Sequence, residues 1–265
     1  MKIIVPIKQV PETSNVKMDS ETGTMIRTGV EPIVNPLDLY AIEEAVRLKS
    51  EYGGEIIAIT MGPPSAHKAL REAISMGCDD GILLSNRKFA GADTWSTSYV
   101  LAKAIEKMGD FDIILCGERA TDGDTGQVGP GIAAWLDIPF STYVSQISEV
   151  TDEKVTVKRI VENGYQLLDV EKPTLITVVK EINFPRLPTL DGKIKAKKAE
   201  IPMWGPEEVD TLAENLGLKG SPTRVVKIST PKVSRDGERF APKTEQEMDE
   251  VVDRIIEFFE EKEIL

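Results

Sequence analysis

Short apolar runs alternate with helix-periodic stretches over the first half of the chain. The runs IIVPI, EIIAITMG, GILLS and FDIILCG have the length of buried strands and predict four β-strands. The stretch after the first strand keeps its apolar residues on one helical face. It starts at Asn35-Pro36, where Asn is a favoured N-cap and Pro a favoured first residue, and it stops at Gly53-Gly54. The pattern therefore predicts a long helix between the first two strands.

The same alternation continues to about residue 136. A helix ending near Gly77 separates the second and third strands, residues 93–108 are predicted to be helical, and another helix begins within 126–136. Strands that alternate with helices in this way are typical of a parallel sheet with right-handed crossovers. The predicted fold class is therefore α/β, with a doubly wound parallel sheet.

The pattern changes after residue 150. The segments KVTVKRIV and YQLLDV flank Glu162-Asn163-Gly164 and predict a β-hairpin, because Asn-Gly favours a tight turn. PTLITVVK follows as another buried strand. Beyond Pro185 the chain is richer in Pro, Lys and Gly, and its last element is an amphipathic helix near 244–262. We therefore expect an α/β domain with a hairpin insertion (1–185) and a C-terminal arm (186–265).

The balance of charge argues against one class of partner. The chain has 265 residues, of which 29% are charged, and a formal net charge of −12. Nucleic acid is not expected as the main partner, because binding to phosphates needs a surplus of Lys and Arg. The tail from Glu245 to Glu263 is acidic, whereas a basic cluster consists of Lys193, Lys195, Lys197 and Lys198. Each run is either solvated surface or a docking surface.

The cysteines and the hydropathy indicate a reducing compartment. Cys78 and Cys116 are the only cysteines and lie in apolar runs, which excludes a disulfide framework or a zinc site. No stretch approaches the roughly 18 apolar residues of a spanning helix, and the chain begins directly with a strand rather than a leader. We expect a cytoplasmic protein without membrane insertion.

The candidate site follows from the strand arrangement. An open doubly wound sheet binds ligands beyond the carboxyl ends of its strands, where the strand order reverses. If the first strand lies beside the fourth, the loop KQVPET meets residues 117–131 (GERATDGDTGQVGPG). The glycines let backbone N–H groups face phosphate oxygens, the next helix adds a favourable dipole, and Thr121 and Thr125 can donate hydrogen bonds. Asp122 and Asp124 are expected to accept bonds from ribose hydroxyls or loop amides.

The usual fingerprints of phosphate chemistry are absent from the sequence. No Gly-x-Gly-x-x-Gly follows the first strand and no Gly-Lys-[Ser/Thr] run occurs, so a phosphate-transferring loop is not expected. His67 is the sole histidine and would have to support any Ser-His or Cys-His relay alone. A nucleotide cradle with few acid–base groups suits chemistry carried by a cofactor. A helix-capping turn rich in Asp and Thr, without a ligand, is the alternative.

Four motifs in chain order resemble the beta subunit of electron-transfer flavoproteins. They are KQVPET, TGTMIRTGVEPIVNPLD, ATDGDTGQVGP and PRLPTLDGKIKAKK, and they extend from the first strand into the arm. The resemblance implies the adenine nucleotide alpha-hydrolase-like version of the doubly wound sheet, with strand order 3-2-1-4-5. It also implies a heterodimer with a flavin-carrying alpha subunit, which the C-terminal arm would wrap.

The resemblance further implies which residues hold an adenine nucleotide. In the family they follow strand one, start the Asn-Pro helix, end strand two and form the loop after strand four. Matched motif by motif, the positions are Pro6, Lys8, Asn35, Met61, Ala120, Thr121, Asp122, Gly123, Asp124, Thr125, Gly126, Gln127 and Val128.

Two branches of the family differ in the nucleotide that this subunit binds. The simple branch keeps a structural AMP, with a loop resembling Asp-x-Asp-x-Asn-Gln-Thr-Gly; here Gly126 replaces the Asn and removes bulk beside the phosphates. With Lys8-Gln9-Val10-Pro11 and Thr22-Gly23-Thr24, the chain is similar to the electron-bifurcating branch, whose subunit holds an FAD that accepts a hydride from NADH. There one electron passes through the alpha-subunit flavin to a flavin-dependent dehydrogenase, and the other passes to ferredoxin or flavodoxin. FAD is therefore expected, with AMP as the alternative.

The arm contains the family's docking motif. In the family a leucine within Pro-Arg-x-x-Thr-Leu inserts into a groove of the partner dehydrogenase, and that residue here is Leu190, with Arg186 and Lys193 nearby. An apolar anchor with a cationic rim fits interface anatomy. An ordinary buried arm residue is the alternative for Leu190. For the whole chain, a further alternative is a stand-alone nucleotide-binding module of the same fold, a class that lacks PRLPTLDGKIKAKK.

Overall fold

The computed structural model describes residues 1–12, 32–226 and 237–263. Its strands are β1 (Lys2–Pro6), β2 (Gln9–Pro11), β3 (Pro32–Val34), β4 (Glu55–Met61), β5 (Asp80–Leu84), β6 (Ile113–Gly117), β7 (Phe140–Val150), β8 (Lys154–Val161), β9 (Gly164–Glu171), β10 (Thr174–Val178) and β11 (Met203–Trp204). Its α-helices are α1 (Pro36–Tyr52), α2 (His67–Met76), α3 (Thr94–Met108), α4 (Val128–Leu136), α5 (Leu190–Lys198), α6 (Gly217–Gly220) and α7 (Glu245–Glu261).

Five parallel strands form the centre of the main sheet. Their spatial order is β5-β4-β1-β6-β10, which is 3-2-1-4-5 when these five strands alone are numbered along the chain. Because β1 lies between β4 and β6, the strand order reverses between β1 and β6. The doubly wound α/β fold class and the strand order are therefore confirmed.

The central strands are buried on both faces. Along β1, Ile3 and Val5 pack on the side of α1, α2 and α5, whereas Ile4 packs on the side of α3 and α4. Successive side chains of a strand point to opposite faces, so a strand with helices on both sides needs an unbroken apolar run. This requirement explains why the central strands could be recognised in the sequence.

Beyond β10 the sheet becomes mixed. β7 pairs with β10 in parallel, and β8 and β9 extend it as an antiparallel hairpin, which confirms the predicted insertion. The sequence patterns did not reveal β7, because two β-bulges and a positive φ of 58° at Tyr143 interrupt its period-two alternation. They also missed the two-residue β11 beside β5 and the antiparallel pair of β2 and β3.

Local capping determines several helix starts. The Asp93 carboxylate precedes α3 and accepts a hydrogen bond from the Ser96 N–H at 3.0 Å. Thr189 precedes α5, and its hydroxyl accepts the Gly192 N–H at 2.9 Å. Asn35 stands at the N-cap position of α1, as predicted, but its side chain makes no capping bond. Its amide instead bonds to Asp38 and to the loop after β6.

Packing divides the chain into two compact units, Met1–Val226 and Lys227–Leu265. In the first unit, α5 packs against α2 and β11 pairs with β5, so residues 186–226 join the layers around the sheet. The second unit contains α7, whose N-cap Thr244 accepts the Glu247 N–H at 3.2 Å. That residues 186–265 form an arm that wraps a partner subunit stays a prediction. Among the described helices, none is long and apolar enough to cross a membrane.

Candidate functional site

A cavity of about 370 Å³ opens beyond the carboxyl ends of β1, β4 and β6. It lies at the reversal of strand order, and residues from the N-termini of α3 and α4 also line it. Doubly wound sheets bind ligands at this position. The volume is near the lower end of the roughly 300–1,000 Å³ that is typical of small-molecule sites. The cavity is therefore large enough for a ligand and correctly positioned for one.

Most of the residues predicted to hold a nucleotide converge on this cavity. The residues that line it are Pro6, Lys8, Met61, Ala120, Gly123, Thr125, Gly126, Gln127 and Val128. The others, Asn35, Thr121, Asp122 and Asp124, do not line it. The structure thus brings together the loop after β1, the end of β4 and the loop after β6. That these residues bind a nucleotide stays a prediction.

The loop after β6 has the backbone geometry of an open cradle. Gly126 has a φ of +61° and Asp124 a φ of +54°, and the Asp124 N–H donates to the Ala120 carbonyl at 2.8 Å. A Cβ atom at Gly123 would meet nothing within 4 Å, and one at Gly126 would meet only the Glu118 carbonyl oxygen at 3.4 Å. The two glycines therefore leave space on the cavity side of the loop for a ligand.

Among the described residues that line the cavity, the cations are Lys8 and Arg119, and carboxylates of the loop after β6 pair with both, including Glu118, which lies 3.1 Å from Arg119. The Lys8 ammonium lies 2.6 Å from Asp122 Oδ1, and Arg119 Nε lies 2.7 Å from Asp124 Oδ1. Both cations line the cavity. The carboxylates therefore pair with Lys8 and Arg119 within the chain, and their expected contacts with ribose hydroxyls or loop amides stay a prediction.

Asn35 is fully buried and braces the same loop. Its Nδ2 group donates to the Arg119 carbonyl at 2.9 Å, and its Oδ1 accepts the Thr121 N–H at 3.1 Å. The same Nδ2 group lies 2.9 Å from Asp38 Oδ1. Asn35 therefore bonds to other groups of the chain, and it would influence a bound ligand by positioning the loop after β6.

Asp38 connects the two loops that form the floor of the cavity. Its Oδ2 accepts the Lys8 N–H at 2.7 Å, and a Cβ atom at Gly117 would lie 2.5 Å from its Oδ1. Burial raises the pKa of Asp38 to about 7, although the amide of Asn35, the Lys8 and Gly117 N–H groups and the Lys8 ammonium all favour the carboxylate. The carboxyl group lines the cavity, and the sequence patterns did not single it out.

The N-terminus of α4 faces the cavity through Val128 and Gly129. A Cβ atom at Gly129 would lie 2.8 Å from the Thr177 methyl group, so glycine lets the helix pack directly on β10. First-turn N–H groups of a helix lack partners within the helix and favour anions. The helix therefore adds donors and a positive dipole end to the glycine cradle.

The sequence patterns missed one wall of the cavity. It is formed by four residues between β5 and α3 and by three residues of α3, namely Phe89, Gly91, Ala92, Asp93, Thr94, Thr97 and Leu101. A signal was present in the sequence, because Asp93-Thr94 begins a helix that follows a parallel strand. Such a helix start must lie at the same edge of the sheet as the loop after β6.

The predicted docking residues lie outside the cavity and differ in their contacts. Leu190 is 76% exposed, and Phe184 and Leu187 are 94% and 86% exposed, so the segment presents apolar side chains to solvent. Lys193 is also exposed. The Arg186 guanidinium, in contrast, binds Glu43 through Nε at 2.7 Å and through Nη2 at 2.9 Å. Arg186 therefore anchors the segment to α1.

Two parts of the motifs quoted for the resemblance lie outside the described residues. They are residues 22–31 of TGTMIRTGVEPIVNPLD, which include Thr22-Gly23-Thr24, and Thr13 at the end of KQVPET.

Comparison with known proteins identifies a family for the sequence. Residues 22–209 match the family model described as the electron transfer flavoprotein domain. The chain is 46% identical over 256 residues to electron transfer flavoprotein subunit beta of Thermoanaerobacterium thermosaccharolyticum, covering 96% of this chain and 98% of that protein. It is 44% identical to the caffeyl-CoA reductase-Etf complex subunit CarD of Acetobacterium woodii, with both chains covered completely. It is 41% identical to the acryloyl-CoA reductase electron transfer subunit gamma of Anaerotignum propionicum, covering 97% and 98% of the two chains.

Proposed function

The chain belongs to the electron transfer flavoprotein beta subunit family, and from this premise we propose that its cavity holds an FAD. Beta subunits of this family partner with an alpha subunit. In the proposed function the heterodimer takes a hydride from NADH. It passes one electron to ferredoxin or flavodoxin and the other, through the flavin of the alpha subunit, to a dehydrogenase.

The convergence of three separate chain segments on one cavity carries this proposal. Pro6 and Lys8, Met61, and residues 120–128 are far apart in sequence and meet at the reversal of strand order. A helix-capping turn without a ligand would need only local contacts within residues 117–131. The observed convergence is what an adenine nucleotide with phosphates needs, since it must contact base, ribose and phosphate sites at once.

The residues present fit a cofactor with a diphosphate. Gly123 and Gly126 leave open space beside backbone N–H groups, and the N-terminus of α4 points to the same space. Lys8 and Arg119 line the same space, but carboxylates of the loop pair with both cations, so the backbone N–H groups would carry most of the contact with phosphate. A flavin bound there would supply hydride acceptance and single-electron transfer, and the protein would bind and orient it.

A structural AMP is the second candidate for the same cavity. Its support is the cavity volume of about 370 Å³, which is at the small end for ligand sites. The absence of a side chain at Gly126 favours the longer cofactor. A Cβ atom there would have only the Glu118 carbonyl oxygen nearby, so an Asn side chain would extend into open space that the diphosphate could otherwise occupy. Both candidates use the same cradle, so the choice between them depends on the cofactor found in the complex.

Cofactor extraction from the purified heterodimer tests the proposal. Two FAD molecules per heterodimer, together with bleaching of flavin absorbance by NADH, are the expected result. If one FAD and one AMP are found per heterodimer, the cavity of the beta subunit holds AMP rather than FAD. A heterodimer whose beta subunit holds neither nucleotide would contradict both.

We also propose that the heterodimer delivers electrons to a flavin-dependent dehydrogenase or reductase acting on a CoA thioester. Two relatives are named as subunits of the caffeyl-CoA and acryloyl-CoA reductase systems, which supports this substrate class. The exposed side chains of Phe184, Leu187 and Leu190 provide an apolar docking surface, and Lys193 contributes a cation beside it. The cytoplasm is the proposed location.

A further inference from the structure

One wall of the cavity consists of residues 89–94, which have little regular structure of their own. After a short helical turn over Arg87–Phe89, the chain runs through Gly91, Ala92 and Asp93 to the start of α3. The wall reaches the loop after β6 through the Thr94 hydroxyl, which donates to Gln127 Oε1 at 3.0 Å. A wall without strand or helix ladders must be positioned by contacts from outside.

Residues 204–223, called here the outer segment, supply those contacts through the backbone. The Ser85 N–H donates to the Trp204 carbonyl at 3.0 Å, just before the wall. The Leu218 N–H donates to the Ala90 carbonyl at 3.1 Å, within it. Although these bonds join the outer segment to the wall, no residue of 204–223 lines the cavity.

Asp93 is the main connection between the wall and the end of the outer segment. Its backbone N–H donates to Ser221 Oγ at 2.8 Å. Its Oδ2 atom accepts two bonds from Thr223, one from the backbone N–H at 2.9 Å and one from the hydroxyl at 2.7 Å. Its Oδ1 atom accepts the Ser96 N–H at the start of α3. A single carboxylate therefore joins the cavity wall, the start of α3 and the outer segment.

Close packing adds to these bonds. Gly217 has a φ of +55°, and a Cβ atom there would overlap the Lys88 carbonyl oxygen. A Cβ atom at Gly91 would lie 3.2 Å from the Leu218 Cβ. Leu216 is buried in the same apolar cluster as Phe89. The outer segment and the wall are therefore tightly joined, because a shift of either one would break hydrogen bonds or open a gap in their packing.

We propose that the outer segment sets the nucleotide affinity of the cavity, with Ser221 and Thr223 as positioning residues that act through Asp93. This inference rests on the proposed nucleotide binding and adds a determinant that does not touch the ligand. Coupling between two sites is reciprocal. If the contacts between residues 217–223 and the wall raise the affinity for nucleotide by some factor, bound nucleotide must stabilise these contacts by the same factor.

Variants of the full-length chain test this role. Thr223→Val keeps the size of the side chain and removes the hydroxyl bond to Asp93; together with Ser221→Ala it removes both side-chain contacts to that residue. Thr223→Ser retains a hydroxyl. Thr211→Val is the matched control, since the Thr211 hydroxyl bonds only to the Pro206 carbonyl within the outer segment among the described residues.

The affinities for AMP and FAD, measured by calorimetry, are the first readout. Loss of one wall hydrogen bond in Thr223→Val is expected to weaken binding by roughly two- to tenfold, and the double variant should be weaker still. Thr223→Ser and Thr211→Val should bind like the wild type. The second readout is hydrogen exchange: saturating nucleotide should slow exchange of the Leu218 and Thr223 amides in the wild type, and less in the double variant.

The outcomes separate this inference from the function on which it rests. A wild-type chain that binds neither AMP nor FAD, alone or with its alpha subunit, overturns both proposals. Wild-type affinity in the double variant, with exchange of residues 217–223 unaffected by nucleotide, overturns the positioning role alone. Weaker binding in Thr223→Val and in the double variant, measured well below their unfolding midpoints and with wild-type affinity in Thr223→Ser and Thr211→Val, supports it, because a general loss of stability would not follow the hydroxyl at position 223.

Discussion

At the scale of single residues, Asp38 combines burial with a connecting role. It accepts the Lys8 N–H and the Asn35 amide and so holds the loop after β1 against the start of α1. Burial raises its pKa from 3.8 to about 7. The folded state therefore keeps the proton over a pH range in which the unfolded chain has lost it.

This raised pKa gives a definite sign to the pH dependence of stability. Between about pH 4 and pH 7 the folded state binds more protons at Asp38 than the unfolded state, so the free energy of unfolding falls as pH rises. Each pKa unit corresponds to about 1.4 kcal/mol, so the contribution is on the order of a few kcal/mol. We expect urea unfolding of the wild type to show this decline, flattening above pH 7.

Asp38→Asn isolates the contribution of this group. The variant should lack this component of the slope, and the difference from the wild type should shrink as pH rises from 4 to 7. An Asn side chain can accept only one of the two hydrogen bonds that Asp38 accepts, from the Lys8 N–H and from the Asn35 amide, and its NH₂ group would face the other donor. The free energy of unfolding is therefore expected to fall by about 1–3 kcal/mol at low pH. Asp110→Asn, at an exposed position, is the control. Parallel pH profiles of Asp38→Asn and wild type would contradict the assignment.

Gly126 offers a second test at the residue scale. Asn tolerates a φ near +61° better than most residues, and its Cβ would meet only the Glu118 carbonyl at 3.4 Å, so Gly126→Asn should fold. Its amide would then occupy space beside the phosphates. We expect FAD content of the beta subunit to fall severalfold while AMP binding persists.

Counting both nucleotides after extraction from the Gly126→Asn heterodimer checks this expectation. Asp137→Asn is the control, because it places Asn in a left-handed backbone conformation (φ 52°, ψ 46°) at the C-terminal end of α4, at a residue that does not line the cavity. Full FAD content in the Gly126 variant would show that side-chain bulk at this position does not select the cofactor.

At the scale of elements, α1 connects the cavity with residues 184–193, called here the docking segment. Asn35 and Asp38 at its start brace the cavity loops, and Glu43, less than two turns later, binds Arg186. Asn183 adds bonds to the Tyr40 carbonyl and to Glu44. One helix therefore orients both the proposed cofactor site and the apolar side chains that precede α5.

Glu43→Gln tests this anchoring. The variant loses the charge that holds the Arg186 guanidinium, so exchange of the Arg186 amide, which donates to Glu43 at 3.0 Å, should become faster. The partly exposed pair contributes little to stability, and a change within about 1 kcal/mol is expected. Nucleotide content should be unchanged. Glu51→Gln, which removes an exposed partner of Arg47 on the same helix, is the control and should leave Arg186 exchange unaltered.

How far the elements could be predicted depended on burial. The central strands and α1 have apolar patterns imposed by two covered faces, so their existence and order followed from the sequence. β7 escaped because its bulges shift the alternation and its exposed face carries Phe140 and Tyr143. β11 is too short to have a pattern, since only two of its residues pair with β5.

The candidate site divides along similar lines. The loop after β6 was recognisable because its glycines and hydroxyls are contiguous in sequence. The wall formed by residues 89–94 was not, because its position depends on Leu218, Ser221 and Thr223, more than a hundred residues away. The partners of Arg186 and Asp122 also escaped, since charge alone does not show whether a side chain faces a ligand, a partner or its own chain.

At the scale of the whole molecule, the cavity proposed to hold the cofactor and the surface proposed to dock the dehydrogenase are separate. The cavity lies beyond the carboxyl ends of the central strands, whereas Leu190 starts α5, which packs against α2. A subunit that holds a cofactor and passes electrons to a partner would need this separation, because partner docking must not displace the cofactor. Changes at the docking surface should therefore affect delivery and leave cofactor content intact.

Leu190→Ala tests that separation in the complete heterodimer. Leu190 is 76% exposed and follows the N-cap Thr189, so truncation removes apolar contact area without opening a core or uncapping α5. Loss of a central interface anchor costs about 2 kcal/mol or more, so electron transfer to the dehydrogenase at limiting concentration should fall by at least tenfold. The control is Leu167→Ala on β9, because Leu167 is 75% exposed, much like Leu190, and lies outside the docking segment. Flavin content and NADH-dependent flavin reduction should be the same in all three proteins. Equal transfer rates for Leu190→Ala and Leu167→Ala would remove Leu190 from the docking surface.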